Sequence, residues 1–138
     1  MKQVLKYFIL YIIFGLTYVL IEYLYRGYSH ISMMILGGIC GVAIGMLNEV
    51  LSWETPLWLQ CLIGGSIITV LEFITGCIVN LGLNWNVWDY SNAPLNLLGQ
   101  ICLPFSIAWI FLSAVAIILD DWLRYWLFKE EKPHYKLF

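Results

Sequence analysis

Four apolar runs, each about twenty residues long, decide most of what this chain can become. In an α-helix each residue advances the chain by ~1.5 Å, so a run of that length crosses the ~30 Å hydrocarbon core of a bilayer. The runs predict spanning helices at about 4–25, 32–51, 57–80 and 98–120. Of the 138 residues, 62 % are hydrophobic and only 12 % charged; a soluble domain carries about 25 % charged residues. The expected fold is all-α: a polytopic membrane protein with a bundle of four transmembrane helices. It should form a single integral membrane domain over 1–138, with a cytoplasmic tail at 121–138. An amphipathic continuation of the last helix through "DDWLRYWLF" to Phe128 is a further expectation.

The first run resembles a secretory leader, but it is too long and no small-x-small cleavage site follows it, so it reads as a retained helix. Basic residues orient the bundle. Lys2 and Lys6 flank its start, and Arg124, Lys129, Lys132 and Lys136 flank its end. The positive-inside bias then puts both termini in the cytoplasm, consistent with an even helix count. The net charge of −2 offers no basic face to nucleic acid. Cys40, Cys61, Cys77 and Cys102 all lie in apolar runs without a CxxC pair, so they read as buried packing residues and predict neither metal nor cofactor.

Each helix carries a polar or small-residue seam. Gly37, Gly41 and Gly45 repeat at i, i+4, the spacing that lets helix backbones approach closely in lipid. Gly65, Thr69, Glu72 and Gly76 repeat the device with one ionisable member. Glu72 lies ~22 Å along its helix from the inner end, by ~1.5 Å per residue. A carboxyl group at that depth is costly and faces the bundle or a watered cavity. Tyr11, Gly15, Tyr18, Glu22 and Arg26 share a face of the first helix, with Glu22 and Arg26 spaced for an i, i+4 ion pair. Pro104 inside the fourth run predicts a kink or break near residues 100–104. Asp120 and Asp121 read as inner-interface residues.

The connection "NVWDYSNAPLNLLGQICLPFS" is richer than a linker needs to be. Its Trp88 and Tyr90, with Trp85 just before it, could form an outer aromatic belt, but a belt has no use for Asp89 and the neighbouring asparagines. The expectation is a partly inserted aromatic loop folded back over Glu72. Asp89 would be tied to Arg26 or to a backbone amide, and Trp88 would close a polar cavity. Glu22, Glu72 and Asp89 would meet one certain cation, Arg26, so the cluster would require a proton, a cation or a cationic ligand group. The candidate ligand-binding residues are Glu72, Asp89, Arg26, Glu22, Trp88, Tyr90, His30 and Gln100, with catalytic residues unassigned.

Residues 71–109, "LEFITGCIVNLGLNWNVWDYSNAPLNLLGQICLPFSIAW", resemble the signature of the CmpB-like family, labelled type IV ABC-transporter permeases. Glu72, Thr75 and Gly76 match its Leu-Glu-Tyr-x-Thr-Gly block. Trp88, Asp89, Tyr90 and Ser91 match Trp-Asp-Tyr-Ser. Pro94, Asn96, Gly99, Ile101, Cys102 and Leu103 match Pro-x-Asn-x-x-Gly-Arg-Ile-Cys-Leu. Arg26, Gly27 and His30 are similar to the Arg-Gly-x-x-His after the first family helix. Gln100 stands where the family commonly has Arg, which leaves the acidic cluster less compensated, and the Gly-Pro expected after His30 is absent. The resemblance implies a transport component. No GxxxxGK[ST] nucleotide loop is encoded, so ATP-driven action would need a separate ATPase subunit, and four helices would need a homo-oligomer or partner membrane subunit to enclose a path. Two alternatives stay open. One is a membrane-embedded enzyme acting on a lipid or isoprenoid, with Glu72 and Asp89 as acid and base near His30; the other is an accessory subunit.

Overall fold

The computed structural model describes residues 1–138. It is all helix and loop. α1 spans Lys2–Arg26, α2 Ile31–Gly45, α3 Leu47–Val50, α4 Leu57–Gly76 and α5 Leu103–Phe128; π-helical turns over Cys77–Gly82 continue α4. Four stretches are long and apolar enough to cross a membrane: Lys2–Arg26, Ile31–Val50, Leu57–Gly82 and Leu103–Phe128. The chain is thus an all-α, multi-pass membrane protein.

Local chemistry sets the boundaries. α1 ends at Gly27, which adopts the left-handed conformation (φ 80°) and donates its amide to the Tyr23 carbonyl, the glycine stop expected of a helix C-terminus. His30 begins α2: its Nδ1 accepts from the Ser32 amide at 3.1 Å. α2 breaks at Met46, and α3 carries the second span on to Val50. The last helix differs from the expected 98–120. Residues 98–102 are turn and extended chain, and α5 starts at Leu103 with Pro104 in its first turn. There proline removes no helical hydrogen bond and its fixed φ suits the helix. The interruption expected near residues 100–104 is therefore the beginning of a helix, and from Leu103 the helix runs on to Phe128. Residues 121–128, assigned both to the tail and to an amphipathic continuation of the helix, form that continuation.

α1 packs along α2, and α4 along α5; α2 also touches α4 and α5, while α1 and α5 hardly meet. Glycine makes both close seams. A Cβ on Gly41 would collide with Phe14 of α1, and one on Gly65 would lie 2.9 Å from the Ile110 Cα of α5. The seam of Gly37, Gly41 and Gly45 faces protein along its whole length: Gly37 meets Tyr18 and Gly45 meets Asp120. Hydroxyls inside the spans satisfy themselves locally. Thr17, Thr69 and Ser113 donate to the carbonyls of Ile13, Gly65 and Trp109, each four residues back. The outer faces expose Leu20, Val70, Phe111 and Val115, large apolar groups that lipid rather than water covers.

Both termini lie at one end of the bundle, where Lys6 of α1 sits 2.7 Å from Glu130 after α5. The long connection 83–102 caps the opposite end, called here the loop end.

Candidate functional site

Glu72 lies on the face of α4 turned toward α5 and is 3 % exposed. Two aromatic side chains donate to it. Trp109 Nε1 of α5 reaches Oε2 at 2.7 Å, and the Tyr90 hydroxyl of the loop reaches Oε1 at 2.8 Å. Burying a carboxyl group at this depth demands such partners. The donors are held in turn: Tyr90 stacks on Phe105 with centroids 4.9 Å apart, and Trp109 packs against Phe105 and Tyr18. Burial first, and then the Glu72 carboxylate, push the Tyr90 phenol above its usual range, which keeps it a hydrogen-bond donor.

The loop reaches Glu72 because it folds back on the end of α4. The π-helical turns re-aim the residues that follow Gly76 and bury Val79 and Asn80. Asn80 Oδ1 accepts from the Val87 amide at 2.7 Å, and its Nδ2 donates to Gln100 Oε1 at 2.8 Å. Trp88 Nε1 donates to the Gln100 carbonyl at 2.9 Å, and the Tyr90 amide to the Gly99 carbonyl at 2.8 Å. Gly76 provides the clearance, since a Cβ there would lie 2.5 Å from Gln100 Oε1 and 3.0 Å from the Trp88 ring. Gln100 is therefore buried as the pin of the loop, bonded to Asn80 and through Nε2 to the Leu98 carbonyl.

Glu22 and Arg26 pair at 2.5 Å on the last turn of α1. Arg26 Nη1 also donates to the Val87 carbonyl at 3.1 Å, and its guanidinium lies over the Tyr28 ring. Arg26 thus binds the loop through backbone, not through Asp89. Asp89 is exposed and accepts from the Ser91 amide at 2.9 Å and from the Ser91 hydroxyl. These bonds hold its carboxyl below the usual carboxylate range. Of the two ties considered for Asp89, the backbone amide is the one made. His30 caps α2 and packs against Trp85. The structure thus gathers Glu72, Tyr90, Trp88 and Gln100 into one bonded unit, with Glu22 and Arg26 beside it. Asp89 and His30 are engaged elsewhere.

Between α1 and α5 lies a cleft in two adjoining parts that share wall residues. The wider part, about 490 Å³, is bordered by Tyr18, Glu22, Arg26, Tyr90 and Trp109, with exposed Phe111 and Val115 at its rim. The inner part, about 80 Å³, has Glu72 on its wall together with Cys40 and Gly41. Tyr18, Ile21, Trp109, Leu112 and Val115 line both parts. The walls are mostly apolar. A ligand there would meet hydrocarbon along its length, one carboxyl group at the inner wall and an ion pair at the loop end.

Sequence reasoning missed Trp109 and Asn80, and it put Tyr18 on the face of Glu22 and Arg26 without assigning it to the site. Tryptophan in an apolar run gives no sign of where its N–H points, and Asn80 gained its role from a π-helical register that spacing rules do not contain. It also missed the ion network at the terminal end. The i, i+4 spacing of Asp120 and Arg124 was a readable signal for that network.

The sequence model of a family described as "Putative ABC-transporter type IV" matches residues 5–135. Comparison with curated proteins and with solved structures yields no match.

Proposed function

Because the chain belongs to the ABC-transporter type IV family, matched over residues 5–135, we propose that it is a membrane-spanning transport component whose ligand occupies the cleft between α1 and α5. The carrying observation is the state of Glu72: a carboxyl group 3 % exposed, held by donors from α5 and the loop, on the wall of that cleft. A group used only for helix registry would need no cavity beside it. Lysine and arginine placement puts the loop end outside, so the cleft opens on the outer half of the bilayer flank. The ligand is largely apolar, with a group that meets Glu72 or the Glu22–Arg26 pair. Energy comes from a separate ATPase subunit, and a second copy or another membrane subunit completes the path.

The test uses protein purified in native lipid and organic extraction of what remains bound. Wild type should carry a bound species that two variants lose: Glu72→Gln, and Ala108→Trp, which puts a large ring on the wall of the wider part of the cleft. Equal retention by all three proteins rules the cleft out. Tagged protein should copurify with an ATPase after gentle solubilisation.

A further inference from the structure

The walls of the cleft are apolar, but not in the way that a hydrocarbon guest alone would ask for. A continuous group of aromatic rings lines the wider part. Phe105 stands at its centre: Tyr90 stacks on it with centroids 4.9 Å apart, and Tyr25 meets it edge-on at 6.4 Å. Trp109 lies 5.9 Å from Phe105 and 6.3 Å from Tyr18. All five rings line the wider part, and Tyr18 and Trp109 line the inner part as well. Aliphatic side chains would seat a neutral chain equally well. A ring adds a face of negative potential, which attracts a cation within about 6 Å of its centroid.

The charges around the cleft point the same way. Glu22 and Arg26 border it, but they pair with each other at 2.5 Å, and Arg26 also donates to the Val87 carbonyl. Arg26 Nη2 is buried and presents no surface to an anion. Glu72 is the remaining acid on the wall, and no cation pairs with it. Its two partners, the Trp109 N–H and the Tyr90 hydroxyl, are neutral. Both belong to rings of the wall, so a cation seated against either ring lies near the carboxyl group. Inside an apolar bundle the attraction between two such charges is weakly screened and does not require contact. A bare metal ion is a poor match, because it takes oxygen ligands or water and these walls are mostly hydrocarbon. The wider part, about 490 Å³, falls within the ~300–1,000 Å³ of small-molecule sites.

We propose that the cleft takes a lipophilic organic cation, one positive charge carried among apolar groups, seated against the rings of Phe105 and Trp109 with Glu72 as its counter-charge. The inference rests on the cleft being the ligand site and names the class of ligand.

The test uses two ions of one shape and opposite charge, tetraphenylphosphonium and tetraphenylborate. Equilibrium dialysis measures their binding to the full-length protein in nonionic detergent at pH 8. Only binding that Ala108→Trp abolishes is counted, which removes the share taken up by the micelle; Ala108 is exposed and lines the wider part. Tetraphenylphosphonium should bind at least about tenfold more tightly than tetraphenylborate. Glu72→Gln should cost the phosphonium about tenfold in affinity and cost the borate nothing. Should that variant not fold, Tyr25→Leu keeps the exposed wall apolar and removes one ring. It should weaken the phosphonium about threefold and spare the borate. Equal binding of the two ions, or preference for the borate, overturns the inference and leaves the cleft as an apolar ligand site. An effect of either variant on both ions alike overturns it too. Binding of neither ion also overturns it, and the cleft itself is then decided by the extraction of bound species.

Discussion

At the scale of single residues, Glu72 shows how a carboxyl group is kept inside an apolar bundle. Its two oxygens receive unlike donors. The tyrosine hydroxyl can reverse and accept, but the indole N–H can only donate. Glu72→Gln can therefore keep both contacts, with the amide oxygen on Trp109 and the amide nitrogen donating to Tyr90. Glu72→Leu strands both donors and should cost about 1–3 kcal/mol more than Glu72→Gln, by the price of a buried unsatisfied group. Unfolding in mixed micelles would measure the difference, and equal losses would mean that the donors find other partners. Asp89 behaves oppositely. It is exposed and its carboxyl is held low by Ser91. A group depressed in the folded state contributes order above its unfolded value and loses it as pH falls through the folded one. The loop should therefore loosen only at acid pH below the usual carboxylate range, seen as a change in tryptophan emission that Asp89→Ala removes. Persistence of that step in Asp89→Ala would assign it to another carboxyl group.

At the scale of elements, the two helical hairpins depend on missing side chains. Gly41 seats Phe14, and Gly65 seats the backbone of Ile110. Gly41→Leu should push α1 from α2 and lower stability by about 1–3 kcal/mol or more, the range of overpacked cores. The same change at Gly27, whose Cβ would meet nothing within 4 Å, would carry only the strain of its left-handed backbone. A thermal midpoint unmoved by Gly41→Leu would contradict the close seam. Much at this scale was legible in the sequence. The four spans, the glycine seams and the fold-back of the loop follow from run length, spacing and the density of polar groups around residue 88, whereas the cleft walls are mostly apolar and not the polar cavity that Trp88 was expected to close. The start of α5 was not legible, because Pro104 reads the same in a first turn as in a kink, and only the extended Cys102 decides between them. The π-helical turns were not legible either. They bring Asn80 to Val87 and Gln100, and no local pattern announces those partners. The ion network at the terminal end is assembled from α1, α3, α5 and the tail. Each of those segments alone reads as an ordinary membrane-boundary charge pair.

At the scale of the whole molecule, the topology is testable by labelling. The loop and the C-terminal tail lie at opposite ends, and basic residues favour the tail end as cytoplasmic. A cysteine placed at Asn92 in intact cells should react with an impermeant maleimide added outside, and one at Lys132 should not. The reverse pattern would invert the orientation and move the cleft to the inner leaflet.

The arrangement of the helices sets how the cleft can widen. α1 rests on α2 along its length but meets the other hairpin chiefly at its two tips, through Arg26 to the Val87 carbonyl and through Lys6 to Glu130. It is held like a string on a bow, tied at both ends and touching the other hairpin between them through Tyr18 on Trp109. A bulky guest has to part that ring contact, and it can do so while both ties hold. Cutting one tie turns the bow into a flap: Arg26→Ala would free the loop end, and Lys6→Ala the other.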